Sequence, residues 1–495
     1  MSTTRNSNTE NLQADIVVIG GGGAGLTAAV AAAEKGASVI VLEKRGLGGN
    51  SALAWGIFAA ESPVQKRAMI DARRDDLFKI AMNHAHWKIN PMVVRALIDK
   101  SGDTIRWLEE KGLDFHCIPL YPNQVPCVWH APKGYGAEII KTLAKNCRDL
   151  GVQLLVRTPA KKILSGTKGD VTGVLAETKG KEFTITTKSV VIATGGYGGN
   201  KELLRKYCPD YRDNIECLGL PHTGDGLTMA TEIGAATEGL GILHMAGPAL
   251  PRTVLITVGT KPNEIRLQLT AIAMEPNTLW VNKKGKRFTD ETLAFDHFMS
   301  GNTIVRQPDN VSYTLLDSHL VQTMTEEGLI LGMGLPTEAL GNKMPGLAKA
   351  IQAHSDKGWV KLSDSWDEIA NWIGADPKVL KATIDKYNAS CDQGHDPIFA
   401  KDQRYLVPLR TAPYYAIKCG AGFLGTIGGI KINEHMEVID NQFNPIPGLY
   451  AAGIDTGGWE PDTYCTALSG HAFGFSVNSG RIAGENAAKY VSPNK

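Results

Sequence analysis

The stretch that most constrains this chain is residues 15–43, DIVVIGGGGAGLTAAVAAAEKGASVIVLE. The run from Ile16 to Ile19 is apolar and largely β-branched, as a strand buried on both faces of a parallel sheet must be. Gly20, Gly22 and Gly25 then supply G-x-G-x-x-G. An alanine-rich segment reaching Lys35 has high helix propensity and meets no breaker before Gly36. A second apolar run, residues 38–42, ends on Glu43. Each part has a physical reason. Gly20 permits the tight strand-to-helix turn, Gly22 lets a pyrophosphate approach the backbone, and Gly25 lets the helix pack close to the strand. The helix N-terminus offers unpaired N–H groups and a positive dipole end to phosphates. Glu43 is placed to accept hydrogen bonds from a ribose hydroxyl. A glycine-rich βαβ turn that binds nothing is the plainer alternative. Strand, helix, second strand and acid in one register favour dinucleotide binding.

The chain has 495 residues, enough for two or three domain-sized units. Apolar residues at 43% and charged residues at 21% are ordinary for a soluble globular protein. A formal net charge of +1 gives no electrostatic case for nucleic acid or an anionic membrane. No apolar run approaches the roughly 18 residues that span a bilayer, so no membrane insertion is expected. Residues 1–13 are polar, with no apolar signal core and no twin arginine, and read as a disordered leader on a cytoplasmic chain. Eight cysteines are scattered without C-x-x-C spacing, which argues against a disulfide framework, a zinc site or an iron–sulfur cluster. No metal is expected.

Along the chain, small residues cluster beside Asn50 and Ser51 over residues 47–60, suiting passage along a flat ligand. A βα rhythm with glycine turns continues to residue 236, including SVVIATGGYGGN and HTGDGLTMATEIGAA. Over residues 237–417 prolines are interspersed and the rhythm is lost. Residues 418–495 return to the first style. The predicted organisation is therefore a discontinuous nucleotide-binding domain, 14–236 and 418–495, interrupted by a second domain, 237–417.

These residues also carry a resemblance. VVIGGGGAGLTAAVAAAEKGASVIVLEK, GGNSALAWG, VVIATGGYGGN, TGDGLTMATEIGAA, LWVNKKGKRFTDE, GTIGGIKIN, GLYAAGIDTGG and SGRIAGENAA resemble the FAD-dependent fumarate reductase and succinate dehydrogenase flavoprotein family, which includes 3-ketosteroid dehydrogenases. The resemblance implies an α/β fold, a Rossmann-like FAD-binding domain interrupted by an α+β capping domain. It implies that Gly20, Gly22, Gly25 and Glu43 hold the adenosine and pyrophosphate half of FAD, with Lys44 and Gly49 also binding the cofactor. Asn50, Ser51, Gly56 and Asp225 would line the flavin side, and Ala193, Thr194 and Gly195 would pass over the cofactor. Gly453, Leu468 and Ser469 would close on the ribityl and pyrimidine end. Members with covalent flavin use a histidine where this chain has Asn50, so FAD is expected to be non-covalent.

The family's chemistry exchanges a hydride with the carbon β to a carbonyl while a proton moves at the neighbouring carbon. The arginine that donates this proton in fumarate reductases falls at Phe295. The other dicarboxylate ligands fall at Leu424, Gly425 and the Asp462-Thr463-Tyr464-Cys465 stretch. A phenylalanine suits a dianion poorly, because burying unpaired carboxylates costs several kcal/mol. The ketosteroid dehydrogenases carry N-T-Y where this chain has Asp462, Thr463 and Tyr464, which makes Tyr464 the leading proton carrier. His244 and Tyr135 are further catalytic candidates. Phe295, Asp296, His130 and Trp129 are candidates for the substrate pocket. The expected function is an FAD-dependent desaturation of a ketone or reduction of an enone, on a neutral or mono-acidic, apolar small molecule. The alternatives are a reductase of unsaturated carboxylic acids and a non-catalytic flavoprotein or electron-transfer subunit. The sequence has no haem-binding C-x-x-C-H, so an external electron donor or acceptor is expected.

Overall fold

Every residue of Ile16–Ile19 is buried, and a strand covered on both faces belongs inside a sheet rather than at its edge. The computed structural model describes residues 12–120, 124–250, 264–331, 343–355 and 358–493. In it Ile16 pairs in parallel with Ser189 on one side and Val39 on the other. The sheet extends past Val39–Glu43 to Gln153–Val156, and past Ser189–Ile192 to Pro445–Ala451 and the antiparallel Glu437–Ile439. This is the Rossmann-like sheet that the opening stretch predicts, assembled from both ends of the chain. Residues 1–11 of the expected leader lie outside the described residues. Leu12–Gln13 is not leader but a strand, paired in parallel with Ile185 and Thr186 at the edge of a second sheet.

Two helices, Gly23–Glu34 and His471–Val491, are joined through glycine. A Cβ on Gly480 would fall 2.2 Å from the Ala24 carbonyl oxygen, and one on Gly484 would fall 2.2 Å from that of Ala28. Backbone therefore touches backbone where side chains would hold the helices apart. Because 24 faces 480 and 28 faces 484, the helices run in the same direction. His471 starts eight residues ahead of Gly23 in that register, about 12 Å further along the axis at 1.5 Å per residue.

The chain divides into two compact units, one of residues Met1–Pro209, Leu220–Leu243 and Gly425–Lys495, the other of Asp210–Gly219 and His244–Leu424. The boundaries expected at 236/237 and 417/418 fall at or inside two long strands, Thr237–Ala249 and Tyr414–Ile430, whose residues are divided between the units. Asp210–Gly219 belongs to the second unit, because Glu216 and Cys217 pair with Gly422 and Phe423. The second unit's sheet also holds Val311–Asp317, Leu279–Asn282 and Val360–Ser363. There Arg287 is clamped by Glu291 at 2.7 Å and Asp396 at 2.7 Å, and Lys401 meets Glu291 at 3.1 Å. All four side chains are buried, and two cations balance two anions, as a buried charge cluster requires. No helix among the described residues is long and apolar enough to cross a membrane.

A Cβ at Gly25 would lie 1.9 Å from the Gly20 carbonyl oxygen, whereas one at Gly46 would meet nothing within 4 Å. Gly25→Ala is expected to lower the unfolding free energy by about 2 kcal/mol or more, with Gly46→Ala close to neutral. Denaturant melts of the two variants check this.

Candidate active site

The turn after Ile16–Ile19 is shaped by the acid that ends the next strand. Glu43 accepts the Gly21 N–H at 2.8 Å and the Arg45 N–H at 2.6 Å. Gly22 caps the helix Gly23–Glu34 in an extended conformation with no side-chain cap. A Cβ there would meet nothing nearer than the Gly48 carbonyl oxygen at 3.7 Å, so this backbone is bare. A helix start whose N-cap glycine has no side chain, beside bare glycine backbone, fits the pyrophosphate of a dinucleotide. The loop 48–53 is tied to it, because Ser51 accepts the Gly23 N–H at 3.1 Å and Asn50 accepts the Leu220 N–H at 2.6 Å. Gly49 has φ +54° within this loop.

Lys44 binds Thr223 and pairs with Asp225 at 2.5 Å. Asp225 was expected on the flavin side. Its pairing sets it beside Lys44, just after the strand that ends on Glu43. His222 comes from the same loop, and its Nε2 would be 2.9 Å from a Cβ on Gly195 and 3.7 Å from one on Gly49. Burial, then Lys44 and Arg45, push this imidazole down to about 4, so it is neutral at pH 7.

The turn after the strand Ser189–Ile192 is held by a residue that the sequence reading did not single out. The buried carboxylate of Asp455 accepts the Thr194 N–H, the Gly195 N–H at 3.0 Å, the Gly196 N–H at 2.9 Å and the Thr194 hydroxyl at 2.9 Å. Its only trace in the sequence is its place just after the glycine-ended strand GLYAAG. Thr194, Gly195 and Gly196 are thus fixed as a turn directly after Ala193. Gly453 donates to the Ser479 hydroxyl at 2.9 Å, and a Cβ on it would lie 3.0 Å from that of Ala24.

Several expected residues serve packing. Gly56 is small because a Cβ would lie 2.5 Å from Trp129 Nε1. Trp129 is itself buried, and it also backs Gly470. His130 donates Nδ1–H to the Val128 carbonyl at 2.9 Å, which forces Nε2 to accept from Ser62 at 2.7 Å. With both nitrogens used and burial lowering it to about 4, His130 is a core histidine and not a substrate ligand. The Leu468 and Ser469 side chains are also buried, and the Ser469 hydroxyl donates to the Thr466 carbonyl at 2.7 Å. Tyr135 opens its helix at φ +57°, an unusual conformation for a bulky residue, next to Gly136, whose N–H bonds the Ala54 carbonyl at 2.8 Å.

Tyr464 is buried just ahead of the helix His471–Val491. Burial first, then the charge of Glu460, push its phenol well above the ordinary tyrosine range. The backbone N–H groups of Ala472 and His471, in the first helical turn, pull the other way.

Within the second unit, Asp296 accepts the Phe298 and Met299 N–H groups at 3.2 and 3.1 Å, as the cap of the helix His297–Val305. That is a structural role. Phe295 packs on Tyr405 at 5.5 Å, and His244 stacks on Phe298 at 4.6 Å. Burial pushes the neighbouring His297 down to about 3.

An open glycine turn and helix start on a parallel sheet form the frame of a dinucleotide-binding protein. Residues 15–461 match the FAD binding domain family. The chain is 32% identical over 489 residues to the vinyl phenol reductase of Lactiplantibacillus plantarum, spanning 96% of this chain and 97% of that one. A solved flavocytochrome c3 fumarate reductase in its open conformation superposes with a TM-score of 0.75 at 28% identity, over 97% of this chain and 79% of that one. The 3-ketosteroid Δ1-dehydrogenase of Sterolibacterium denitrificans shares the fold, with a TM-score of 0.76 at 19% identity over 96% and 99% of the two chains. The chain belongs to the FAD binding domain family, and FAD is its cofactor.

Two outcomes follow from the cradle and its neighbours. Asp455→Asn, which puts an amide donor against backbone donors, is expected to lower the FAD retained on purification by tenfold or more, read from the flavin absorbance. His130, lowered to about 4 in the fold against roughly 6.5 unfolded, stabilises the fold above pH 6.5, and this stability is lost as pH falls toward 4. His130→Gln is expected to flatten that loss in denaturant melts across the window.

Proposed function

We propose that this protein reduces carbon–carbon double bonds conjugated to a carbonyl or a phenol ring, in a neutral or mono-acidic and apolar small molecule, with Tyr464 as proton donor. The observation that carries this is the environment of Tyr464. A phenol raised by burial and by Glu460 stays protonated at pH 7, and the helix N–H groups of Ala472 and His471 stabilise the phenolate left after donation. A protonated donor suits reduction, where carbon gains a proton, whereas desaturation calls for a base. Residues 458–470 contain no arginine, so this stretch offers a dicarboxylate no cation. The likeness to a vinyl phenol reductase along nearly the whole of both chains supports a substrate of that apolar kind.

FAD bound in the cradle supplies the two-electron, hydride-transferring centre. Gly20, Gly22, Gly25, Glu43, Lys44 and Gly49 hold one half of it, with Asn50, Ser51, Ala193, Thr194, Gly195 and Gly453 along the rest, all without a covalent bond. The roughly 12 Å lead of His471 over Gly23 along parallel helices supports placing Tyr464 toward the flavin end. Tyr135, held with positive φ beside the 49–53 turn, is the second phenol of the proposed machinery. An external redox partner supplies electrons. The eight free cysteines suit the reducing cytoplasm, where we place the protein. A second reading, reduction of an unsaturated carboxylic acid, is favoured by the 28% identity to a fumarate reductase.

The test is anaerobic. Reduced enzyme is mixed with 4-vinylphenol, cyclic enones or acrylates, and recovery of the oxidised flavin spectrum is followed. Recovery with vinyl phenols or enones is expected, and recovery with acrylates alone moves the assignment to the second reading. Tyr464→Phe is expected to slow recovery 10²- to 10⁴-fold. A change within twofold would remove Tyr464 from the mechanism.

A further inference from the structure

Next to Tyr464 lies a carboxylate–imidazole pair that no sequence motif marks. Glu460 and His471 are 3% and 1% exposed. His471 Nδ1 lies 2.7 Å from Glu460 Oε2, an ion-pair contact that is close but not aligned as a linear hydrogen bond. The other Glu460 oxygen accepts the Cys465 N–H at 3.0 Å, which fixes the carboxylate to the residue after Tyr464. The imidazole is held edge-on by Trp459, with ring centres 5.3 Å apart at 82°, and by Phe58 at 6.0 Å and 65°. Its ring centre is 6.4 Å from that of Tyr464.

A comparison within the same unit shows that this is no ordinary core histidine. His130 is equally buried and spends both nitrogens on protein partners. His471 Nε2 has no hydrogen-bond partner among the described residues. Leaving a buried imidazole nitrogen unpaired is costly, and a buried carboxylate is costlier still unless it is paired. A site built only for packing would be filled by apolar side chains.

The tyrosine, the glutamate and the histidine also share one anchor. The N–H groups of the helix's first turn face the Tyr464 hydroxyl, and His471 is the first residue of that helix. The titratable groups around the phenol are Glu460, His471 and Cys465, with His84 bonded to the Thr463 carbonyl at 3.1 Å.

We propose that Glu460 and His471 are positioning residues for Tyr464, a buried carboxylate–imidazole pair that fixes the phenol against the first turn of the helix that His471 begins. This rests on the reading of Tyr464 as the proton donor. Glu460 sets the negative potential that keeps the proton on the phenol. Through Nδ1, Glu460 also fixes the ring of His471, leaving Nε2 as the open end of the pair. The backbone N–H of His471 remains in any side-chain variant, so substitution isolates the imidazole from the helix terminus.

The experiment uses the FAD-loaded protein labelled at tyrosine ring carbon and histidine nitrogen, and follows Tyr464 and His471 by NMR across pH beside the pH profile of flavin recovery. In the wild type, His471 is expected to carry its proton on Nδ1. A neutral ring protonated on Nε2 alone would overturn the pair. Glu460→Gln is expected to shift the Tyr464 ring-carbon resonance at neutral pH and to lower kcat tenfold or more with KM within twofold. His471→Asn is expected to lower kcat tenfold or more with KM within twofold, and His471→Gln should behave alike. FAD content and melting temperature are measured for every variant.

Variants with the wild-type Tyr464 resonance and kcat within twofold would overturn the proposal. If Tyr464→Phe leaves turnover intact while Glu460→Gln still shifts the Tyr464 resonance, the donor role falls and the coupling between the groups stands. Should the variants fail to fold, the wild-type histidine spectrum still decides whether the pair exists.

Discussion

The structure depends on two helices touching through glycine. Gly480 against Ala24 and Gly484 against Ala28 bring the last long helix onto the first at backbone distance. That contact joins the two ends of a discontinuous unit and fixes their register. The helix start at Gly23 and the helix start whose N–H groups face Tyr464 are then parts of one pair. Any side chain at these glycines would push the helices apart and separate the cofactor cradle from the phenol.

Around that frame, charge is buried only where geometry compensates for it. Asp455 is covered but receives three backbone N–H groups and a hydroxyl, and so becomes the clamp of the 194–196 turn. In the second unit Arg287, Glu291, Asp396 and Lys401 neutralise one another. His130 and His222 are held neutral by burial. Glu460 and His471 stand apart from these, because one imidazole nitrogen is left without a protein partner. The places where polar groups are fully satisfied are structural. At Glu460 and His471, beside the phenol, that compensation is incomplete.

The sequence was most legible where chemistry is local. Gly20, Gly22, Gly25 and Glu43 lie within two adjacent strands and one helix, so spacing alone predicts their arrangement. Residues with a second available role were harder to read. Asp296 reads as a pocket residue in sequence, but an aspartate just before a helix is also a good cap, and here it caps. His130 beside Trp129 looks like a pocket residue until both of its nitrogens are seen to be occupied. Asp225 is drawn to Lys44 by a pairing across 181 residues of chain, which no local pattern encodes. Leu12–Gln13 looks like polar leader because a two-residue edge strand has no periodicity to display.

The sequence by itself determined the glycine turn, the parallel sheet and the return of the chain's end to its beginning, because glycine turns, β-branched strands and an acid in register act over short spans. Tertiary structure alone decided which polar residues face one another. Asp455 on its turn, Asp225 on Lys44 and Glu460 on His471 depend on the close approach of helices and loops. That approach follows from backbone contacts at glycine, whose side chain records nothing of its partner.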